Sequence, residues 1–147
     1  MLKTGFPFGA VQMPLNAFDA TFRSFQSQVL PELNRRGIAA LGMKPMSGHG
    51  EPIQNGAISA EEALRYATSL PVATTITGME KLDILRKNLR IAQNLQPMTA
   101  KEMNALEERV KLAAADGHFE LYKARSNLTI RKHVSSTIFH SMCNPRK

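Results

Sequence analysis

Cysteine is almost absent from this chain, and acidic residues vanish from its last stretch. The single cysteine, Cys143, excludes an internal disulfide framework and any cysteine-based zinc or iron–sulfur site. No apolar run approaches the ~20 residues that a membrane helix needs. The opening MLKTGFPFGAVQMPLN lacks the long apolar core of a secretory signal. These absences together lead to the expectation of a reducing, cytoplasmic setting.

The missing acid is equally informative. Residues 124–147 hold five basic side chains (Arg125, Arg131, Lys132, Arg146, Lys147) and no Asp or Glu, whereas residues 1–123 hold 14 basic against 12 acidic. The formal charge of +7 therefore sits mostly in the tail. A basic tail can neutralise phosphates, but only Phe139 offers a ring for stacking, so nucleic acid is a poor fit. The tail also shows no helical face and no capping signal. Residues 1–123 are expected to form one domain and residues 124–147 an irregular extension.

What is present is an ordinary globular composition, 43% hydrophobic and 21% charged over 147 residues, enough for one core. Short apolar runs alternate with helical patterns. GAVQMPL (9–15) is extended, and Pro14 ends it or places it at a rim. Phe22, Phe25, Val29 and Leu33 then fall at helical spacing, with Pro31 expected to kink that helix or begin a second one. Arg35 and Arg36 suit its last turn and Gly37 its left-handed stop.

IAALGM (38–43) reads as a strand buried on both faces, and residues 44–58 as a loop rich in glycine and proline. Ser59 to Glu62 forms a capping box for a helix that Pro71 stops; VATTIT (72–77) reads as a second buried strand. A helix over about 81–94 presents Leu82, Leu85, Leu89 and Ala92 on one face. A second capping box, Thr99 to Glu102, opens a helix with Met103, Leu106, Val110 and Ala113 inward, closed by Asp116 and Gly117. This rhythm predicts an α/β chain of βαβ units around a parallel sheet.

Ligands of such folds gather at the carboxyl ends of strands. The loop after Met43 offers Lys44 and glycine-rich backbone; the loop after Thr77 leads through Gly78 and Met79 into a helix N-terminus, which favours an anion. Other chemistry is thin. His49, His118, His133 and His140 stand alone, no group has metal-ligand spacing, and no serine sits in a nucleophile elbow. Tyr66 and Tyr122 read as packing residues, and the eight methionines as core filler.

FGAVQMPLNAFD, QVLPELNRRGIAALGMKPM, ALRYATSLPVATTITGMEKLDILRKNL and MTAKEMNAL, in this order and spacing, resemble the C-terminal half of a bacterial aldo/keto reductase over about residues 5–123. The resemblance implies a partial TIM (β/α)8 barrel, about strands six to eight with their helices plus a C-terminal helix. It implies NADP-linked reduction of aldehydes and ketones.

Carried over residue by residue, Gln12 resembles the glutamine that binds the nicotinamide carboxamide. Met43, Lys44, Pro45, Met46 and Gly48 fall on the segment along the nicotinamide and pyrophosphate. Gly78, Met79, Lys81, Arg86 and Asn88 fall near the adenosine end. Gly78 and Ile84 stand where many relatives place a basic residue for the 2′-phosphate, leaving Lys81, Arg86 or Lys87 to supply the charge that distinguishes NADP from NAD. The family's Asp, Tyr, Lys and His tetrad has no match here. The expectation is therefore a cofactor-binding fragment inactive alone. Its alternatives are one half of a two-chain reductase completed by an N-terminal half, and a non-catalytic interaction protein using the basic tail.

Overall fold

The computed structural model describes residues 2–123. Three short strands form its sheet: β1 (Ala10–Pro14), β2 (Ala39–Met43) and β3 (Thr74–Ile76). All pair in parallel and in chain order, with Gln12 opposite Leu41 and Met43 opposite Ile76. Pro14 has no amide to give the ladder, but it lies at the last position of an edge strand, and the Leu15 amide takes the next bond to the Met43 carbonyl at 3.0 Å.

Helices make every connection. α1 (Phe25–Gln28) and α2 (Leu30–Arg35) link β1 to β2; α3 (Glu51–Gln54) and α4 (Ala60–Ser69) link β2 to β3; α5 (Leu82–Gln93) and α6 (Ala100–Ala114) follow, then two 3-10 turns over His118–Lys123 joined by a kink at Glu120. Crossovers between parallel strands are right-handed as a rule, so strands taken in chain order place their helices on one face. Burial agrees. Met13, Ala40 and Gly42, which share one face, are buried; on the other face Gln12, Thr74 and Ile76 are exposed, Leu41 and Met43 half-buried, and only Pro14, at the end of β1, is buried. The result is an open mixed α/β layer pair with one sheet face bare.

The core lies between the covered face and the helices, around Met13, Leu15, Phe18, Leu30, Leu33, Tyr66, Leu106 and Val110. Each large apolar side chain buried there stabilises the fold by about 1.5–3 kcal/mol. Both expected capping boxes form, with the Ser59 and Thr99 hydroxyls accepting from the amides of Glu62 and Glu102. Pro31 begins a second helix, α2, whose first turn needs no amide from it. Met103, Leu106, Val110 and Ala113 of α6 turn inward as their spacing requires.

Four expectations are corrected. Phe22 precedes α1, in the turn that Asn16 and Asp19 organise, so it lies on no helix face. β2 alternates in burial because helices cover one face only. β3 shortens to three residues, with Thr74 and Ile76 exposed for the same reason. The loop 44–58 contains α3.

The apolar face read for α5 is also only partly covered. Asn88, Ile91 and Leu95 point to a small cavity of about 110 Å³ shared with Leu64 and Thr75. Lys87 lines an open cleft of about 750 Å³ with Glu62 and Arg109, so that flank looks toward α4 and α6. Leu82, Leu85 and Leu89 project on the opposite flank by helical geometry, and Leu82 and Leu89 remain 58% and 50% exposed. No helix among the described residues is long and apolar enough to cross a membrane. The basic segment 124–147 lies outside the described residues.

Candidate functional site

The carboxyl ends of the three strands deliver three loops to one end of the sheet. After β1, the Asn16 side-chain oxygen accepts from the Phe18 and Asp19 amides, each at 3.0 Å, turning the chain at once. Asp19 then accepts from the amides of Phe25 (3.1 Å) and Gln26 (2.8 Å) and from the Ser24 hydroxyl (3.2 Å), fixing the start of α1.

After β2, Lys44 and Ser47 adopt left-handed backbone with φ of 54° and 65°. For residues with a Cβ this costs about 1–2 kcal/mol each, so neighbours must hold it. Asn16 Nδ2 donates to the Lys44 carbonyl (3.1 Å) and the Ser47 hydroxyl donates to the Phe119 carbonyl. After β3, Asn88 Nδ2 donates to the Gly78 carbonyl (3.3 Å) and steadies the approach to α5.

The positions singled out in the sequence sort into two groups. Gln12 and Met43 meet on the bare face, where Gln12 Nε2 donates to the Met43 sulfur at 3.0 Å. Lys44 follows directly; Pro45 is buried, Met46 packs against the core and Gly48 abuts the Phe119 carbonyl. In the second group, Gly78, Met79, Lys81 and Arg86 are exposed. Lys81 takes the N-cap position of α5 without a side-chain cap, and Arg86 pairs only loosely with Asp83, at 4.0 Å. Asn88 differs from the others: it is buried and its amide serves the Gly78 carbonyl, so it shapes the loop.

A third constellation escaped the sequence reading. Lys123 Nζ donates to Asp19 (2.5 Å), Glu120 (2.7 Å) and the Phe22 carbonyl (2.7 Å); Glu120 also accepts from Asn16 (3.3 Å) and the Tyr122 hydroxyl (2.5 Å). Asn16, Asp19 and Glu120 are buried, and the Lys123 side chain is sealed with them. The only signal in the sequence is a charge set among apolar residues, in NAFDATF and HFELYK. Among the described residues no buried side-chain nitrogen or oxygen lacks a partner.

The two tyrosines are unsuited to giving up a proton. Burial first, then the Glu107 carboxylate, holds the Tyr66 phenol well above the ordinary tyrosine range. Burial and then Glu120 do the same to Tyr122. His118 Nδ1 pairs with Asp116 at 2.5 Å on the surface, and His49 is exposed beside Glu51. Among the described residues no group of three His, Cys, Asp or Glu side chains could hold a metal ion.

Three features of this face and its loops could hold a ligand. Gln12 exposes an amide whose present partner, a thioether, is a weak acceptor that a carboxamide displaces readily. Lys44 follows the last residue of β2, with its ammonium 5.2 Å from the centre of the Tyr122 ring. The uncapped N-terminus of α5, with Lys81 on it, favours phosphate. No protein family, curated protein or solved structure matches the chain.

Proposed function

We propose that the chain is the cofactor-binding portion of an NADPH-linked aldo/keto reductase, contributing three consecutive strands to a (β/α)8 barrel. The observation that carries this reading is the sheet itself. Its strands run parallel in unbroken chain order, with helices on one face and the other face bare. A doubly wound sheet reverses its strand order and covers both faces; a barrel wall does neither. On this reading Gln12, Leu41, Met43 and Ile76 face the lumen.

NADPH, when bound, supplies the hydride for reduction of a carbonyl. Gln12 would orient the carboxamide, Lys44 and the loop through Gly48 would hold the pyrophosphate, and Lys81 with the first amides of α5 would meet the adenosine phosphate. Carbonyl reduction also needs a proton donor. Neither Tyr66 nor Tyr122 serves, because both phenols are shifted away from acidity. The donor comes from a complementary half of the barrel, which also covers the bare face.

The test is complementation. The chain is mixed with a separately produced, tetrad-bearing half of an aldo/keto reductase, and NADPH oxidation is followed with an aromatic aldehyde. Activity in the mixture and in neither half alone is expected. Inactivity of two well-folded halves in a stable complex would overturn the proposal.

A further inference from the structure

The loop after β2 is held by a part of the chain far from it. Lys44 Nζ lies 5.2 Å from the centre of the Tyr122 ring, within range of a cation–π contact. The Tyr122 hydroxyl is fixed on Glu120 at 2.5 Å, and Glu120 is fixed in turn by Lys123 and Asn16. Asn16 also holds the Lys44 carbonyl, and Ser47 is tied to the Phe119 carbonyl. Both ends of Lys44, its backbone and its ammonium, are therefore referred to one buried carboxylate.

A lysine with four rotatable bonds loses much freedom when it settles on an anion. Resting on a fixed ring places the charge beforehand. The left-handed backbone at Lys44 and Ser47 is sustained by the same turn, since both hydrogen bonds that hold it lead there directly or through Asn16.

We infer that the turn His118–Lys123 is the positioning element for Lys44, with Glu120 and Tyr122 as positioning residues that set the ammonium for a dinucleotide phosphate. The inference rests on the reading of Lys44 as a phosphate contact given above. Tyr122 touches no reacting atom in this account; it acts through Lys44.

The experiment uses the full chain labelled at the lysine ε-carbon, with Lys44→Arg to assign the resonance, and compares wild type, Tyr122→Phe and Tyr122→Leu. Phenylalanine keeps the ring and leaves Glu120 its bonds to Asn16 and Lys123; leucine removes the ring. In the wild type the Lys44 ε-methylene is expected upfield of the other lysines through the ring current. It should move part of the way in Tyr122→Phe, which keeps the ring but frees it from Glu120, and return to the exposed-lysine position in Tyr122→Leu. The NADPH dissociation constant should rise about fivefold in Tyr122→Leu and by less in Tyr122→Phe.

A Lys44 resonance that Tyr122→Leu leaves unmoved overturns the inference, as does equal weakening of NADPH binding by both variants. A resonance that moves as stated, in a chain that binds no NADPH, sustains the placement of Lys44 and overturns the cofactor reading instead.

Discussion

The Lys123 ammonium lies 2.5 Å from the Asp19 carboxylate across 104 positions of chain, and both side chains are sealed from solvent. With Glu120 on its other side at 2.7 Å, this lysine lies between two buried carboxylates. The pair therefore ties the loop after β1 to the last described turn. Stability and the shape of the candidate site depend on it together.

Replacing Lys123 by Met removes the ammonium and leaves Asp19 and Glu120 buried and mutually repelling. The expected cost is about 3–5 kcal/mol in urea denaturation. A loss below about 1 kcal/mol would mean that the cluster behaves like a solvated surface pair.

The tyrosines give the pH dependence. Folding raises both phenols above their ordinary value of 10.0. The unfolded chain releases these protons first, so the stabilisation is whole below pH 10.0 and is lost as pH rises above it. The chain has two tyrosines and no tryptophan, so phenolate absorbance reports them cleanly. Phenolate absorbance and loss of helical circular dichroism are expected to rise in one coincident step. Phenolate formation in a chain still folded would contradict the hydrogen bonds to Glu107 and Glu120.

Gly117 closes α6 with φ of 71°, and a Cβ there would overlap the Phe22 ring. Gly117→Ala combines left-handed strain with a clash against the half-buried Phe22 ring. A destabilisation of roughly 2–4 kcal/mol is expected, read as a lowered melting midpoint. An unchanged midpoint would show that Phe22 does not occupy this position.

Ile76 is exposed on the bare face of β3, an edge strand, and Leu82 and Leu89 are exposed on α5. An unpaired strand edge and exposed apolar side chains both invite association. Light scattering of the chain alone is expected to rise with concentration, and Ile76→Lys combined with Leu89→Lys is expected to suppress the rise. Equal scattering by the two proteins would show that association, if present, uses another surface.

Legibility followed range. Ser59 with Glu62 and Thr99 with Glu102 act across three residues, so their spelling alone located two helix starts. Pro31 acted on its own turn and marked α2. The strand centres were legible because Ala40, Gly42 and Met13 must be apolar or small to meet helices. Their ends and faces were not, because the alternation in β2 and the exposure of Ile76 depend on which face the helices cover. The flank of α5 misled for a related reason: Leu82 and Leu89 have helical spacing, but they stay exposed among the described residues. Within the site, Lys44 could be placed at a strand end from the apolar run before it, Gln12 entered only through the family resemblance, and Asn88 lies under its loop. Asn16, Asp19, Glu120 and Lys123 act across about a hundred residues and left no periodic trace.

The most direct measurement of the central claim is titration of the folded full chain with NADPH, followed by the cofactor's own fluorescence and repeated with Lys44→Ala and with Gln12→Ala. The account predicts saturable binding that Lys44→Ala weakens about tenfold, consistent with loss of one charge-assisted phosphate contact, and that Gln12→Ala weakens less. Absence of saturable binding by a chain whose circular dichroism shows it folded, or binding indifferent to both substitutions, would contradict it.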